Sequence, residues 1–491
     1  MIKDQVARSV FWVVWSRGGV QIFAFASTLI VARLLSPIDI GLMALVLAWA
    51  STATLLAELG LSAGIIQFRD LDQEELNVFF WLTMCVSVAL YAGLFLIAPL
   101  LAGWFAMPQL VQVLRVVGLM VILITARTVP ENILRKRLEL DKVSQAEIAA
   151  AVLTIPVTLG LVWAGAGVWA LVAGTLVVPL VKCVLGFWFT GWWPGVRFRI
   201  HRLGDVFLFS FSKLGSNLCW NIQSQSDSFL LAKIAGDEVL GLYSMAKLLA
   251  FALVEKVSMA TIQLTSPLLA QLQNDQDVTQ RSLRRGLRLV ATIITPVCLG
   301  FAVVADDFVR VALTDKWLSA VPMLQVMCLG AVVSPLDVLL TPVLLARYRA
   351  AFIFRYNLVL LAVMPLGFLI GAWWGSGMGI AVVWVTAYPL VLSWMVREAL
   401  REVGLSFGWL RKELQPPVVA SLVMMTLAML ARWACSAMFP EAPVLRLVVV
   451  TLVGVSSYGA MLWMIGGSLR AELFEVFRWL VRPSRPVGAA K

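Results

Sequence analysis

Histidine occurs once in these 491 residues, at His201, and charged residues make up only 14% of the chain. Soluble globular domains carry roughly 25%. No paired-carboxylate, Walker or HExxH pattern accompanies the single histidine, so hydrolase and ATPase chemistry have little to be built from. The six cysteines (Cys85, Cys183, Cys219, Cys298, Cys328, Cys435) are scattered through apolar segments with no CxxC pair and no ligand-like spacing. They read as small buried hydrophobes, and neither a metal site nor a cofactor is expected. His201, inside VRFRIHRLG, reads as a solvated interfacial residue.

Apolar residues are what the chain has in excess: 61% of it is hydrophobic and the mean hydropathy is +0.90. Long apolar runs recur from end to end, too continuous for the weak alternating segments of about ten residues that mark a membrane barrel. An all-α polytopic membrane protein follows. Runs bounded by charge, Pro or Gly suggest about fourteen transmembrane helices: 10–32, 40–63, 78–102, 110–128, 146–164, 167–190, 206–232, 239–265, 288–305, 321–345, 352–373, 376–396, 416–434 and 444–466. The opening MIKDQVARSV lacks a small-residue cleavage site after its apolar stretch and reads as a retained first helix.

The basic residues test this count. With the N-terminus cytoplasmic, segments on the inner side hold 27 of the 39 Lys and Arg, and outer segments hold six: Arg33, Lys233, Arg310, Lys316, Arg432 and Arg446. Such a bias supports an even number of crossings with both termini inside. The net charge of +11 is therefore assigned to orientation and to anionic membrane lipids, not to nucleic acid. The stretch QDVTQRSLRRGLR at 276–288 reads as a basic interfacial helix. The tryptophans, concentrated near span ends as at 192–193 and 373–374, read as interfacial belts.

The chain repeats itself. ARLLSPIDIGLMAL at 32–45 matches AKIAGDEVLGLYSM at 232–245, with Ala32 on Ala232, Arg33 on Lys233 and Gly41-Leu42 on Gly241-Leu242, all offset by 200. Ser16-Arg17 resembles Ser212-Lys213 at an offset of 196. Six spans separate the copies, so the halves are expected as parallel repeats about an axis along the membrane normal, with substrate bound between them. The expected divisions are 1–200, 201–398 and 399–491: two six-helix lobes, then two further helices with a cytoplasmic tail.

Polarity is concentrated in the first two spans of each half. On a helical wheel Lys213, Asn217, Asn221, Ser224 and Ser228 fall within about 80° of one another, flanked by Gln223, Gln225 and Asp227. Arg17, Gln21 and Thr28 repeat the theme in span one; Ser51, Thr54, Glu58 and Ser62 share a face of span two; Ser244, Lys247, Glu255 and Ser258 lie on span eight. A charge at mid-membrane costs about 2.5–3.5 kcal/mol on insertion scales and normally faces a bundle interior or a wet cavity. A hydrated central cavity lined by Arg17, Gln21, Lys213, Asn217, Asn221, Ser224 and Lys247 is the expectation. Internal ion pairing and snorkelling to the interfaces remain the competing reading. Cations would neutralise phosphate there, and amides and hydroxyls would satisfy sugar hydroxyls.

The stretches VFWVVWSRGGVQIFAFASTLIVARLLSPIDIGLMAL, VPENILRKRLELDKVSQAEI at 129–148 and GAGVWALVAG at 165–174 resemble the polysaccharide-transporter branch of the multidrug/oligosaccharidyl-lipid/polysaccharide superfamily, nearest to its Wzx-type flippases. The resemblance implies two six-helix lobes around a central cavity that opens alternately to either side of the bacterial inner membrane. It implies as cargo an undecaprenyl-pyrophosphate-linked oligosaccharide repeat unit used for exopolysaccharide, capsule or lipopolysaccharide, with membrane lipids, a polysaccharide polymerase and glycosyltransferases as partners. Arg17 and Lys213 take the place of the family's cationic cavity residues. Glu58, Asp227 and Glu255 become candidates for ion coupling, and the last two helices for a lipid-tail groove. Multidrug relatives commonly carry an acidic residue in the first helix, whereas 10–32 has none, which disfavours a drug exporter. A polymerase or ligase, the other alternative, would call for a large outer loop, and the longest outer segment, 306–320, is short.

Overall fold

The structure, a computed structural model, describes residues 25–59, 72–197, 203–271 and 276–465, without the side chains of 203–213, 216, 253, 256–271 and 278. Among them every regular element is helical. The chain divides into two compact units, Met1–Ser244 and Met245–Lys491. The first contains α1 (Phe25–Leu34), α2 (Pro37–Ala57), α3 (Gln73–Phe105), α4 (Leu110–Val117), α5 (Leu119–Lys136), α6 (Leu140–Trp163), α7 (Val168–Thr190) and α8 (Leu203–Gln271) as far as Ser244. The second contains the rest of α8, then α9 (Gln276–Ala312), α10 (Val321–Ala331), α11 (Ser334–Ala346), α12 (Ala350–Val403), α13 (Phe407–Met438) and α14 (Pro443–Ile465).

Ten of the described helical stretches are long and apolar enough to cross a bilayer, which makes this a multi-pass membrane protein. The expected spans 146–164, 167–190 and 444–466 coincide with α6, α7 and α14 to within a few residues. Two pairs of expected spans run on as single long helices with a bend. The pair at 206–232 and 239–265 is α8, bent at Gly236; the pair at 352–373 and 376–396 is α12, bent at Gly375 and Ser376.

Local sequence explains the helix starts. Ser36 caps α2: its hydroxyl accepts from the Asp39 N–H and the Asp39 carboxylate accepts from the Ser36 N–H, each at 3.2 Å, with Pro37 preset in the first turn. Asp72 and Glu75 form the same box on α3, and Ser406 caps α13. Prolines inside α3, α5, α6 and α7 are accommodated without ending the helix, as neighbouring helices allow in a membrane. Exposed tryptophans gather at helix ends: Trp104 and Trp163 where α3 and α6 finish, Trp188 and Trp193 where α7 finishes. They mark the interfaces of the first unit.

In the second unit α9, α13 and α14 form a packet around Val303, Ala428 and Val450, which are almost fully buried. The expected interfacial helix at 276–288 is the opening of α9. Its Gln276 and Gln280 side chains donate to the Val403 carbonyl (3.0 and 2.8 Å), and Arg284 and Arg288 turn onto Glu413.

Candidate functional site

The repeat seen in the sequence takes physical form where α2 begins. Ser36 precedes α2, and Gly236, its counterpart at the 200-residue offset, separates the two legs of α8. Gly236 holds φ 86° and ψ −178°, a region open essentially to glycine alone. The leg from Asp237 therefore starts where α2 starts, and the two helices cross through matching residues. A Cβ at Gly41 would strike the backbone carbonyl of Asp237, and one at Gly241 would strike that of Pro37. Each glycine thus meets its partner helix at the position equivalent to the other's contact. The backbones touch because neither position carries a side chain.

From that crossing α2 runs back along the first leg of α8. The Thr52 hydroxyl donates to the Asn221 side-chain oxygen (2.8 Å), the Gln225 amide donates to the Ser51 hydroxyl (3.1 Å), and Trp49 meets Phe229 edge to face with centroids 5.0 Å apart. Asn221, Gln225 and Phe229 are successive turns of one stripe. Part of the polar face expected to line a cavity is thus bonded to another helix. Asn217 and Ser224 remain partly accessible on the same leg. Asp227 is fully buried: its carboxylate accepts from the Tyr243 hydroxyl (2.6 Å) and from the Ser228 N–H (2.7 Å), which joins the two legs of α8 across the bend.

The other expected residues are dispersed. Arg17 and Gln21 lie outside the described residues, as does the side chain of Lys213. Glu58 sits at the C-terminal cap of α2, within electrostatic reach of Arg127 and Glu131. Lys247 belongs to the second unit, where its ammonium lies 5.5 Å from the Trp384 ring centre. Glu255 is exposed.

Several charged clusters escaped the sequence reading. Arg127, Glu131 and Arg135 pair along one face of α5 at 2.6 and 2.7 Å, and Lys182 of α7 reaches Glu147 of α6 at 3.6 Å. In the second unit Glu413 binds Arg284 and Arg288, while fully buried Asp307 holds Arg446 (2.8 Å) and Arg432 (3.4 Å). The α5 cluster was visible as i, i+4 spacing. The others join different helices, 35 positions apart for Lys182 and Glu147 and more than a hundred for the pairs of the second unit, which no local pattern reports. No group of His, Cys, Asp and Glu that could hold a metal ion occurs among the described residues.

Residues 30–322 match a family model described as polysaccharide biosynthesis protein. The chain belongs to that family. Relatives include the succinoglycan biosynthesis transport protein ExoT of Rhizobium meliloti (strain 1021), 25% identical across 99% of this chain and 98% of its own. The teichuronic acid biosynthesis protein TuaB of Bacillus subtilis (strain 168) is 26% identical across 70% of this chain and 71% of its own. The lipopolysaccharide biosynthesis protein WzxC of Escherichia coli (strain K12) is 23% identical across 67% of each. Among solved structures, the lipid II flippase MurJ in an inward closed conformation superposes with a TM-score of 0.70 over 96% of this chain and 99% of that one, at 12% identity. A multidrug resistance MATE transporter of the MOP superfamily gives 0.60 over 79% and 96%, at 15% identity. The polysaccharide biosynthesis family thus carries here the helical fold of those transporters. The expected all-α fold and the resemblance to polysaccharide transporters are both met.

Proposed function

We propose that this protein is a flippase that moves undecaprenyl-pyrophosphate-linked oligosaccharide repeat units across the bacterial inner membrane for exopolysaccharide, capsule or lipopolysaccharide assembly. The observation that carries the reading is the glycine crossing of α2 with the second leg of α8, in a family whose relatives include a succinoglycan biosynthesis transport protein. A carrier built from two parallel repeats closes one side of its cavity by bringing equivalent helices together, and must separate them to release cargo. Backbone contact through Gly41 and Gly241 suits that task. It is tight when made, and it leaves no large side chain or ion pair to desolvate when broken.

On this reading the lobes are 1–200 and 201–398, with 399–491 carrying the last two helices as an apolar groove for the polyprenyl tail. The termini are cytoplasmic. Arg17, Lys213 and Lys247 neutralise the pyrophosphate, and Gln21, Asn217 and Ser224 hydrogen-bond sugar hydroxyls. Asn221 serves the α2 contact as well as the cavity wall. A polymerase and glycosyltransferases act on either side of the step.

The test is the sidedness of the lipid-linked oligosaccharide in cells depleted of this protein, read with a membrane-impermeant glycan-modifying enzyme on spheroplasts. Accumulation on the cytoplasmic leaflet, reversed by re-expression, is the expected result. Normal arrival at the outer leaflet without polymerisation would overturn the reading and place the protein after translocation.

A further inference from the structure

One crossing of the second unit is kinked, and an acidic residue lies one turn past the kink. α10 and α11 together make the span expected at 321–345, joined at Val332 and Val333, which keep right-handed helical dihedrals and i to i+3 backbone bonds. The kink packs closely on α12: a Cβ on Gly330 would come within 2.9 Å of the Trp384 carbonyl oxygen. Asp337 lies in the first turn of α11, seven residues past that contact.

The surroundings of Asp337 are phenolic. Its carboxylate faces the Tyr388 hydroxyl at 3.4 Å, a long contact. Tyr356, a second tyrosine of α12, is 2% exposed, lies within electrostatic reach of Asp337 and leaves its hydroxyl without a hydrogen-bond partner. Thr341, one turn on, donates to the main-chain carbonyl of Asp337 (2.9 Å). The titratable groups within reach are these two tyrosines, both on α12; among the described residues α9 and α10 bring no charge to the site, and no Lys, Arg or His pairs with Asp337. Among the described residues, the buried acids that form ion pairs in the second unit, Asp307 and Glu413, have arginine partners.

An unpaired carboxylate at this depth is costly, and its usual resolution is neutralisation. A hard metal ion would ask for about six oxygens, more than one carboxylate and two phenols supply. A proton asks for less. As a neutral acid Asp337 donates to one phenolic oxygen and accepts from the other, which also satisfies the orphan hydroxyl of Tyr356. We propose that Asp337, with Tyr356 and Tyr388, is a proton-binding site in the second unit, and that its loading and unloading couples the transport cycle to the transmembrane proton gradient. The coupling half of this proposal rests on the flippase reading; the proton site does not. It differs from Glu58, Asp227 and Glu255, which the family resemblance offered for that role.

The experiment uses the purified full-length chain. Infrared difference spectra between mildly alkaline and mildly acidic buffer should show a protonated-carboxyl band in the wild type, lost in Asp337→Asn and shifted in Tyr356→Phe. An unchanged band in both variants overturns the site, as does its removal by sodium at constant pH. The same preparations in liposomes then receive a fluorescent lipid-linked oligosaccharide and an imposed pH gradient. Acceleration of flipping by the gradient in the wild type, and loss of that acceleration in Asp337→Asn, support coupling; equal acceleration in both overturns it. If the wild type moves no cargo while the band still depends on Asp337, the flippase reading falls, the coupling falls with it, and the proton site stands.

Discussion

Two helix joints in this protein are built from opposite materials. Where α2 meets α8, backbones touch through Gly41 and Gly241, with two side-chain hydrogen bonds and one aromatic pair farther along. Where α9 meets α13 and α14, ions pin both ends: Glu413 to Arg284 and Arg288 at one, Asp307 to Arg432 and Arg446 at the other. The Tyr458 hydroxyl adds a bond to the Thr292 carbonyl (2.7 Å) between them. In a membrane the hydrophobic effect does not discriminate between a helix neighbour and a lipid tail, so packing and polar contacts decide. Parting the first joint exposes little that lipid or water cannot accommodate. Parting the second would strand buried charges. The first is suited to open in a cycle and the second to hold a rigid body together.

Breaking the ion-pinned packet should have the largest effect on stability. Glu413→Ala removes the carboxylate that Arg284 and Arg288 share, and Asp307→Asn removes the charge facing Arg432 and Arg446; each should lower stability by about 3–5 kcal/mol, read by SDS-titrated unfolding of the purified chain. Transport per folded molecule should change little. The glycine crossing comes next. Gly41→Ala forces a methyl into the Asp237 carbonyl and should cost about 1–3 kcal/mol, with Gly241→Ala matching it because the two contacts are equivalent. Both should slow cargo movement out of proportion to the stability lost. The smallest effect belongs to the Thr52–Asn221 bond, whose double-mutant cycle with Thr52→Val and Asn221→Leu should return about 0.6 kcal/mol.

The same contrast separates what was legible in the sequence from what was not. The repeat was readable because Gly41 and Gly241 must recur at one register for the crossing to form, and the offset of 200 kept it. The bend at Gly236, the counterpart of Ser36, came only with the structure, which runs the two expected spans on as one helix. The polar stripe on α8 was readable as a face, but a helical wheel reports direction and not the neighbour. It could not tell that Asn221 and Gln225 meet α2 while Asp227 meets Tyr243 of the same helix. The pins of the packet were hidden for a simpler reason: Asp307 and Arg446 are 139 positions apart. Asp337, inside SPLDVLLTPVLLA, was an acid in an apolar run, and only folding brought Tyr356 and Tyr388 around it.

The central claim is that one joint parts during function and the other does not. Cysteine pairs test it in a chain whose six native cysteines are replaced: Thr52→Cys with Asn221→Cys across α2 and α8, and Val303→Cys with Ala428→Cys across α9 and α13. Translocation of a lipid-linked oligosaccharide would be followed in liposomes before and after oxidation, and again after reduction. The account predicts that oxidation stops the first variant, that reduction restores it, and that the second keeps its rate throughout. Undiminished translocation with the first pair fully cross-linked would contradict it.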